Sequence, residues 1–361
     1  MAEHSLLGAS GAHRWLHCPA SIQFTKDMPD RSSADAEQGT RVHELCAWML
    51  KQYLDSHHCI NHQQIEKPDF EFDQDSIDCA TEYVYFIAQQ IQNHDTVLIE
   101  QRVDFSESIG VPDSFGTADC IIIGNGRIHI VDYKNGVGVK VDAHDNPQMK
   151  LYAIGALNEL GDIYDDIQTV SMTIIQPHIH NISTHADIPV EQLKADIEQN
   201  FKPQAIKANS GSDEFCAGDW CRFCKGRTTC RCHAQQFEIF NESFNKSAES
   251  LTDDEITEVL TKIDALISWG KEIKEFAVEC AQRGHQWNGF HLASKSTRKF
   301  TSESAVAEAL KQGGIEPYEH IEKLKTLTAL EKEFGKKTIN DLIGNLIEKV
   351  AGKETLVADS Q

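Results

Sequence analysis

The sequence predicts an α/β protein, in which helices flank a mixed-sheet core and a mainly helical region follows. Three observations lead to this fold class. Apolar residues recur every three or four positions from Ala36 onwards, which is typical of an amphipathic helix. Runs rich in β-branched residues follow between 96 and 136, and a helical pattern at 147–161 separates them from another such run at 169–179. The order helix, three strands, helix, strand indicates a mixed sheet.

The boundaries of the individual elements follow from local patterns. The apolar stripe of the first helix consists of Val42, Leu45, Cys46, Met49, Leu50 and Tyr53. Residues 1–35 are expected to be irregular, apart from a short apolar segment around Trp15 and Leu16. The other expected elements are helices near 76–92, 147–161 and 190–207 and strands at 96–105, 114–124, 127–136 and 169–179.

From about residue 250 the composition favours helices. Thr252 and Glu255 have the spacing of a capping box, and Thr328 and Glu331 repeat that spacing. We therefore expect three regions, which are an N-terminal leader at 1–35, a core at 36–245 and a helical C-terminal domain at 250–361.

Length, charge and cysteine content exclude several classes of protein. The 361 residues include 34 basic and 56 acidic side chains, which gives a net charge of −22 and excludes a uniformly basic coat. No run of 18 apolar residues and no basic leader segment occur, so neither a membrane span nor a signal peptide is expected. Eleven cysteines in such a chain favour a reducing, cytosolic compartment, in which clustered cysteines more often bind metal than form disulfides.

Two acidic residues and a lysine form the first candidate site. Asp119 and Asp132 lie in consecutive predicted strands, and Lys134 shares a strand face with Asp132. Carboxylate oxygens bind Mg²⁺ or Mn²⁺, and an adjacent ammonium suits the hydrolysis of a phosphodiester. A solvated salt bridge between Asp132 and Lys134 is the alternative, but Asp119 interrupts an apolar strand, where an unpaired carboxylate is costly. Glu100, in the preceding strand, is a further candidate, either as a ligand of a second metal or behind the primary ligands.

The second candidate site is a cysteine cluster. Cys221, Cys224 and Cys230 lie in a segment with little apolar content, and their spacing brings three thiolates onto one metal centre. A zinc ribbon would take Cys216 or Cys232 as its fourth ligand. Interleaved with these cysteines are four basic residues suited to phosphate contacts, namely Arg222, Lys225, Arg227 and Arg231. Phe223 either stacks on a base or fills space beside the metal.

These motifs resemble those of the PD-(D/E)XK nuclease superfamily, and more narrowly its RecB-like branch, which includes AddB and Cas4 nucleases. The matching segments are Gly39–His43, Gly116–Asp119, Val131–Lys134 and Gln148–Tyr152. The resemblance implies a restriction-endonuclease-like core. It also implies that His43, Asp119, Asp132 and the Val131 carbonyl bind the metal, that Lys134 acts in catalysis with Asp119 and Asp132, and that Gln148 and Tyr152 face the active site or the DNA.

The same resemblance bears on the cysteines. In iron–sulfur members of the branch, the fourth ligand is a distant N-terminal cysteine, and Cys18 suits that position. The resemblance therefore implies a [4Fe–4S] cluster held by Cys18, Cys221, Cys224 and Cys230, while Zn²⁺ stays open as the alternative. Such a cluster would fasten the leader to the end of the core.

Most of the chain, including the segment Ser10–Pro19, resembles bacteriophage proteins of the DUF2800 type. This resemblance implies a phage or prophage gene that is expressed in a bacterial cytoplasm. We expect a DNA exonuclease of phage recombination or DNA processing, with 5′→3′ polarity favoured. The alternatives are a structure-specific endonuclease and a catalytically silent module that binds DNA or a phage single-strand-binding or annealing protein.

Overall fold

The computed structural model describes residues 5–29, 34–57, 61, 63–92, 94–136, 139–161, 163–164, 166–238, 240, 250–320 and 323–358. The chain divides into two compact units, Met1–Asn245 and Lys246–Gln361. None of the helices in these ranges is long and apolar enough to cross a membrane.

The first unit is built around a five-stranded mixed sheet. Its strands, in spatial as well as chain order, are β1 (Thr96–Asp104), β2 (Phe115–Gly124), β3 (Arg127–Tyr133), β4 (Thr169–Gln176) and β5 (Asn181–Pro189). Only β3 and β4 pair in parallel, and the other neighbours are antiparallel. A parallel pair needs a crossover, and the helix Pro147–Leu160 supplies it.

Helices cover both faces of this sheet. In chain order they are α1 (Ala12–His17), α2 (Ser21–Thr25), α3 (Ala34–Ser56), α4 (Gln74–Gln90), α5 (Ser106–Ile109), α6 (Pro147–Leu160), α7 (Val190–Asp196), α8 (Lys202–Ser210) and α9 (Arg231–Gln235). A π-helical turn, Ile197–Phe201, joins α7 to α8. One apolar cluster packs α1, α6, α7 and α8 on the first face, and a second cluster packs α3 and α4 on the other.

Within the described residues 5–29 the N-terminal segment forms α1 and α2 and packs into the core, which corrects the expectation of an irregular leader. Leu7 and Trp15 are fully buried in the first apolar cluster, and Trp15 contacts the ring of Phe201 edge-on at 6.5 Å. Burial of one large apolar side chain contributes about 1.5–3 kcal/mol, so tertiary packing stabilises helices as short as α1 and α2.

The second unit is not wholly helical, which corrects a further expectation. Its helices are α10 (Asp253–Gln282), α11 (Glu303–Gln312), α12 (Leu327–Phe334) and α13 (Lys336–Ile343). Its strands are β6 (Phe290–Phe300), β7 (Tyr318–His320), β8 (Lys323–Leu324) and β9 (Ile347–Ala358). β6 pairs with β9 and β7 with β8, both antiparallel, and a small apolar cluster joins α11, α12 and α13.

The predicted capping boxes have different outcomes. Thr252 and Glu255 cap each other's backbone N–H groups at the start of α10, as predicted. The second box is wrong, because the N-cap of α12 is Thr326, whose hydroxyl accepts a hydrogen bond from the Ala329 N–H. The predicted helices and strands of the core are present with ends shifted by a few residues, whereas β5 was not predicted.

Gly155 of α6 permits close contact with β1. A Cβ atom at this position would lie 2.9 Å from Val103 Cβ and 3.3 Å from the Asp104 carbonyl oxygen. We expect Gly155→Ala to lower the free energy of unfolding by about 1–3 kcal/mol, because overpacking outweighs the gain in helix propensity. Urea unfolding followed by circular dichroism measures this change.

Gly39 of α3 is the matched control, since a Cβ there would meet no atom within 4 Å. Gly39→Ala is expected to raise the free energy of unfolding by about 0.5–1 kcal/mol. Equal effects of the two substitutions would contradict the packing described for α6 on β1.

Candidate active site

Three carboxylates lie side by side across the first three strands. Glu100 lies between two β1–β2 pairs and therefore opposite Asp119. Asp119 directly precedes Cys120, which pairs with Val131 at this end of the β2–β3 ladder, so Asp119 stands opposite Asp132 as these strands begin to separate. Unpaired, three such groups would repel one another, so their surroundings decide which of them is charged.

The backbone departs from regular strand geometry at the Glu100–Asp119 position. Glu100 has φ +47°, a left-handed conformation that is uncommon outside glycine. In a regular strand, residues four positions apart lie on the same face of the sheet. Ile99 nevertheless packs into the α3/α4 cluster and Val103 into the cluster on the opposite face, so the alternation of faces reverses between them. In β2, Ala118 and Cys120 likewise belong to opposite clusters. Strained backbone of this kind concentrates at functional sites.

Asp119 is held by two groups. Its Oδ1 lies 3.3 Å from His43 Nδ1, and its Oδ2 accepts a hydrogen bond of 2.7 Å from the backbone N–H of Tyr133. His43 projects from α3, and its ring meets the Tyr133 ring edge-on at 5.4 Å. A helix on one face of the sheet and a strand neighbour thus fix the orientation of this carboxylate.

Asp132 is directed to a different set of partners. Lys134 Nζ lies 2.9 Å from Asp132 Oδ2 and donates to Gln148 Oε1 at 3.0 Å. Gln148 Nε2 lies 3.3 Å from Asp132 Oδ1 and 2.9 Å from the Tyr152 hydroxyl. The predicted grouping of Asp132, Lys134, Gln148 and Tyr152 is therefore present.

The start of α6 places Gln148 in this network. Asn146 is the N-cap, and its side-chain oxygen accepts from the N–H groups of Gln148 and Met149, while Pro147 occupies the first turn. Gln148 and Tyr152 are one turn apart and consequently share a helix face. Gly116 leaves room for the Tyr152 ring, since a Cβ there would lie 2.7 Å from Tyr152 Cε1.

The pKa values of the site reflect burial and mutual repulsion. Burial raises the pKa of Asp132 to about 6, although Lys134 acts in the opposite sense. Desolvation, and after it Asp119, raises the pKa of Glu100 to about 8, although Glu100 retains exposed surface. Burial opposes ionisation of Asp119, but His43 outweighs it and lowers that pKa. Burial likewise opposes protonation of His43, and Asp119 more than offsets it, so the pKa of His43 rises to about 9.

The donor set fits a divalent metal ion. Ligand atoms of His43, Glu100 and Asp119 all lie within 4.8 Å of one another. Asp132 is not a member of that group, and its Oδ2 lies 2.9 Å from the Lys134 ammonium. Val131 pairs with Cys120 and Thr173 in the sheet, and its carbonyl as a metal ligand stays a prediction.

The four predicted cluster cysteines line a single cavity. Cys18, Cys221, Cys224 and Cys230 share it with Cys216, Arg227 and His233, and Cys232 is not in its lining. The Cys18 sulfur accepts from the Cys216 N–H at 3.4 Å and the Cys230 sulfur from the His233 N–H at 3.5 Å. Burial raises the pKa of Cys18, and that of Cys221 to about 11.

The spacing of these sulfurs bears on the kind of metal centre. No three of the five cysteines that line this cavity have sulfurs within 4.8 Å of one another in the described ranges. Tetrahedral zinc holds its thiolates about 3.8 Å apart. A four-iron cluster separates them further, since each thiolate binds a different iron.

The basic segment lies beside this cavity. Arg222 and Arg231 are exposed, whereas Lys225 and Arg227 are half-buried. Phe223 is 84% exposed, with the Arg222 guanidinium 5.5 Å from its ring centre. Phe223 therefore does not fill space beside the cysteines, which leaves the stacking interpretation.

Sequence reasoning missed the role of Tyr133. Its backbone N–H binds Asp119, and its ring packs against His43. The signal was its position between Asp132 and Lys134, because a strand that directs those two side chains to one face directs the intervening side chain to the other.

Solved structures with some similarity to this chain include two crystal structures. That of SSO0001 is 11% identical, with 64% of this chain and 89% of that chain aligned at a TM-score of 0.31. That of a protein named "Putative exonuclease", from Eubacterium rectale, is 13% identical, with 63% and 87% aligned at a TM-score of 0.32. Both TM-scores are too low to establish a common fold.

The comparison with family models gives a match over nearly the whole sequence. The model described as "Protein of unknown function (DUF2800)" covers residues 4–361. The match includes both compact units and all the site residues described above. The chain therefore belongs to the DUF2800 family.

Proposed function

We propose that the chain is a metal-dependent deoxyribonuclease with a PD-(D/E)XK core. The observation that carries the proposal is the juxtaposition of two groups across β2 and β3. His43, Glu100 and Asp119 form a set of ligands for a hard cation, and Asp132 with Lys134 stands directly beside it. Such a combination suits phosphodiester hydrolysis, in which negative charge develops on phosphate oxygens.

His43, Glu100 and Asp119 would hold the ion, with Asp132 and the Val131 carbonyl completing its coordination. When bound, Mg²⁺ or Mn²⁺ supplies Lewis-acid polarisation of the phosphate and lowers the pKa of a water ligand. The carboxylates supply the oxygen ligands that these ions prefer. The exposed surface of Glu100 leaves an approach for the DNA backbone.

Lys134 stabilises charge at the reacting phosphate. Its ammonium group has three N–H donors, of which Gln148 accepts one while Asp132 lies 2.9 Å away. A remaining donor is available for a phosphate oxygen or for the attacking water. The pKa of Lys134 is raised by Asp132 and Asp119 against the effect of burial, so the group carries its charge at neutral pH.

Gln148 and Tyr152 position this lysine. Gln148 bridges Lys134 and Asp132, and it also donates to the Tyr152 hydroxyl. Tyr152 is 5% exposed, which leaves it behind Gln148 and not on the DNA surface. Side chains that such hydrogen bonds hold in one rotamer keep a catalytic group near its productive geometry.

The basic segment around the cysteines would bind the DNA backbone. Arg222, Lys225, Arg227 and Arg231 are candidate phosphate ligands, and the exposed ring of Phe223 is a stacking surface for an unpaired base. Because the chain as a whole carries a charge of −22, DNA would be attracted to this local region and repelled elsewhere.

A [4Fe–4S] cluster held by Cys18, Cys221, Cys224 and Cys230 is the cofactor we propose for the cysteine cavity. The placement of all four cysteines around one cavity, two of them with backbone N–H groups directed at their sulfurs, supports the proposal, and zinc stays the alternative. Residues from both ends of the core line this cavity, so the cluster would join α1 to the segment that precedes α9.

The resemblance to RecB-like nucleases further favours an exonuclease with 5′→3′ polarity, in the phage setting that the DUF2800 family suggests. A partner that binds or anneals single strands fits the acidic remainder of the surface. An endonuclease specific for branched or flapped DNA is the alternative that uses the same site.

Removal of either charged group beside the metal ligands is expected to abolish cleavage. Asp132→Asn and Lys134→Ala should each lower the cleavage rate at least about 100-fold, because charge stabilisation in the transition state is lost. DNA binding should persist, since the basic segment is intact. Linear DNA labelled at the 5′ or the 3′ end, with Mg²⁺ or Mn²⁺, reports both rate and polarity.

Asp113→Asn and Lys194→Ala are the matched controls, because both residues are exposed and their contacts are with Ser5 and Glu191, outside the site. They should leave cleavage unchanged. Full activity of the Asp132→Asn protein would contradict the proposed site, and release of internal fragments before end shortening would favour the endonuclease.

Metal binding is expected to release protons. At pH 7 both Glu100, with a pKa of about 8, and His43, with a pKa of about 9, hold a proton that the metal must displace. The affinity for Mn²⁺ should therefore rise with pH between roughly 7 and 9. Calorimetry in buffers of different ionisation enthalpy counts the protons.

The Glu100→Gln protein provides the control for this titration. It should release about one proton fewer than the wild type, because the amide has none to lose. An affinity for Mn²⁺ that is independent of pH would show that these two side chains are not ligands.

Cysteine substitutions distinguish the cluster from zinc. Cys18→Ser and Cys224→Ser should each abolish bound iron and acid-labile sulfide in anaerobically purified protein, along with the visible absorption of the cluster. Cys232→Ser and Cys280→Ser should leave all three unchanged. Zinc without iron, lost in the Cys216→Ser protein, would support the zinc ribbon instead.

A further inference from the structure

A separate group of ligand-type side chains lies where α4 meets the turn that follows β4. It consists of Asp75 and Cys79, one turn apart on α4, and His178 in the turn Pro177–Ile179 after β4. Asp75 Oδ2 lies 3.5 Å from His178 Nδ1, and Cys79 Sγ lies 3.6 Å from the same nitrogen. All three ligand atoms are within 4.8 Å of one another.

The distances from Asp75 Oδ2 and Cys79 Sγ to His178 Nδ1 match those around one tetrahedral ion, but Cys79 Sγ also lies 3.9 Å from His178 Nε2, beside the ring, so its side chain must rotate to bind an ion at Nδ1. Bond lengths typical of zinc place a nitrogen and an oxygen ligand about 3.4 Å apart and a sulfur and a nitrogen ligand about 3.6 Å apart. Asp75 and Cys79 reach one point because residues four apart share a helix face. Thiolate and imidazole ligands select transition metals such as zinc over Mg²⁺ or Ca²⁺.

The tautomer of His178 suits the binding of a metal ion at Nδ1. Its Nε2 lies 3.1 Å from Asn135 Oδ1, an oxygen that also accepts from the Tyr133 hydroxyl at 3.0 Å. An oxygen can only accept, so Nε2 carries a proton, and the neutral imidazole then has its lone pair on Nδ1. Metal-binding histidines are commonly oriented by such a carbonyl on the second nitrogen.

A thiol nucleophile is the competing interpretation of a cysteine beside a histidine. Cys79 is only 6% exposed, and burial together with Asp75 raises the pKa of its thiol. Both effects oppose a reactive thiolate. The negative charge of Asp75, which opposes formation of a thiolate, attracts a cation. Asp75 is also exposed at the surface, where an ion can enter.

We propose that Asp75, Cys79 and His178 form a binding site for a divalent transition-metal ion of the zinc class, with water as the fourth ligand. Asn135 orients His178 from behind. This site is distinct in residues and in ligand chemistry from both the carboxylate site and the four-cysteine cavity.

The ion would join α4 to the ends of β3 and β4. Asn135 binds His178 and accepts from the Tyr133 hydroxyl, and Asn135 and Tyr133 flank Lys134 in sequence. A bound ion would therefore stiffen the segment from which Lys134 projects. Whether the protein is a nuclease does not affect the metal binding itself, so the two proposals fail independently.

The full-length protein, saturated with Zn²⁺ and then dialysed, tests this proposal through its zinc content. His178→Gln and Cys79→Ser should each remove one equivalent of zinc. The difference between the wild-type and variant zinc X-ray absorption spectra should contain one sulfur neighbour at about 2.3 Å. Asn135→Ala, which keeps all three ligands, should weaken zinc binding about 10- to 100-fold.

His180→Asn and Cys280→Ser are the controls and should retain the wild-type zinc content. His180 is exposed, and its φ of +49° is one that asparagine adopts readily. If Cys79→Ser fails to fold, His178→Gln still decides the question, because it leaves the buried thiol in place. Equal zinc content in the wild type and His178→Gln would overturn the proposal. So would a difference between the two X-ray absorption spectra that contains no sulfur neighbour of zinc.

Discussion

The ionisation of Asp119 is the constraint on which the site depends. A carboxylate inside an apolar strand is costly unless charges and donors compensate it. His43 and the Tyr133 N–H do so here, and each comes from a different element. Compensation of this one buried charge thereby fixes the position of α3 against β2 and the position of β2 against β3. Burial, and after it this charge, raises the pKa of Glu100 to about 8, so Glu100 holds a proton at neutral pH.

The irregularity in β1 and β2 has a physical role in this arrangement. A regular antiparallel pair would direct Glu100 and Asp119 to one face of the sheet throughout. The reversal of faces at this position turns Asp119 toward α3, while Asp132, one strand further, faces Gln148 on α6. Helices from both faces therefore contribute to one site.

The extent to which the sequence predicts this protein differs between its parts. The strands β1 to β4 were predictable because apolar and β-branched residues dominate them. β5 has polar residues at most positions, and as an edge strand it resembles a loop. The strands of the second unit were missed for a similar reason, since β6 is rich in basic and hydroxyl residues. α1 and α2 are too short to show a helical period, and burial of Trp15 stabilises the first of them.

Within the site, Asp119, Asp132 and Lys134 follow from strand periodicity, whereas the backbone conformation of Glu100 has no sequence signature. Cys79 and His178 are 99 positions apart, and no local sequence pattern predicts their contact.

The sulfur of Cys18 accepts a hydrogen bond from the N–H of Cys216, which lies 198 positions further along the chain. During synthesis at 5–20 residues per second, the N-terminal segment would wait about 10–40 s for this partner. Until residue 201 is made, Trp15 lacks the ring of Phe201, against which it packs, so α1 cannot complete its packing before the end of the core is synthesised.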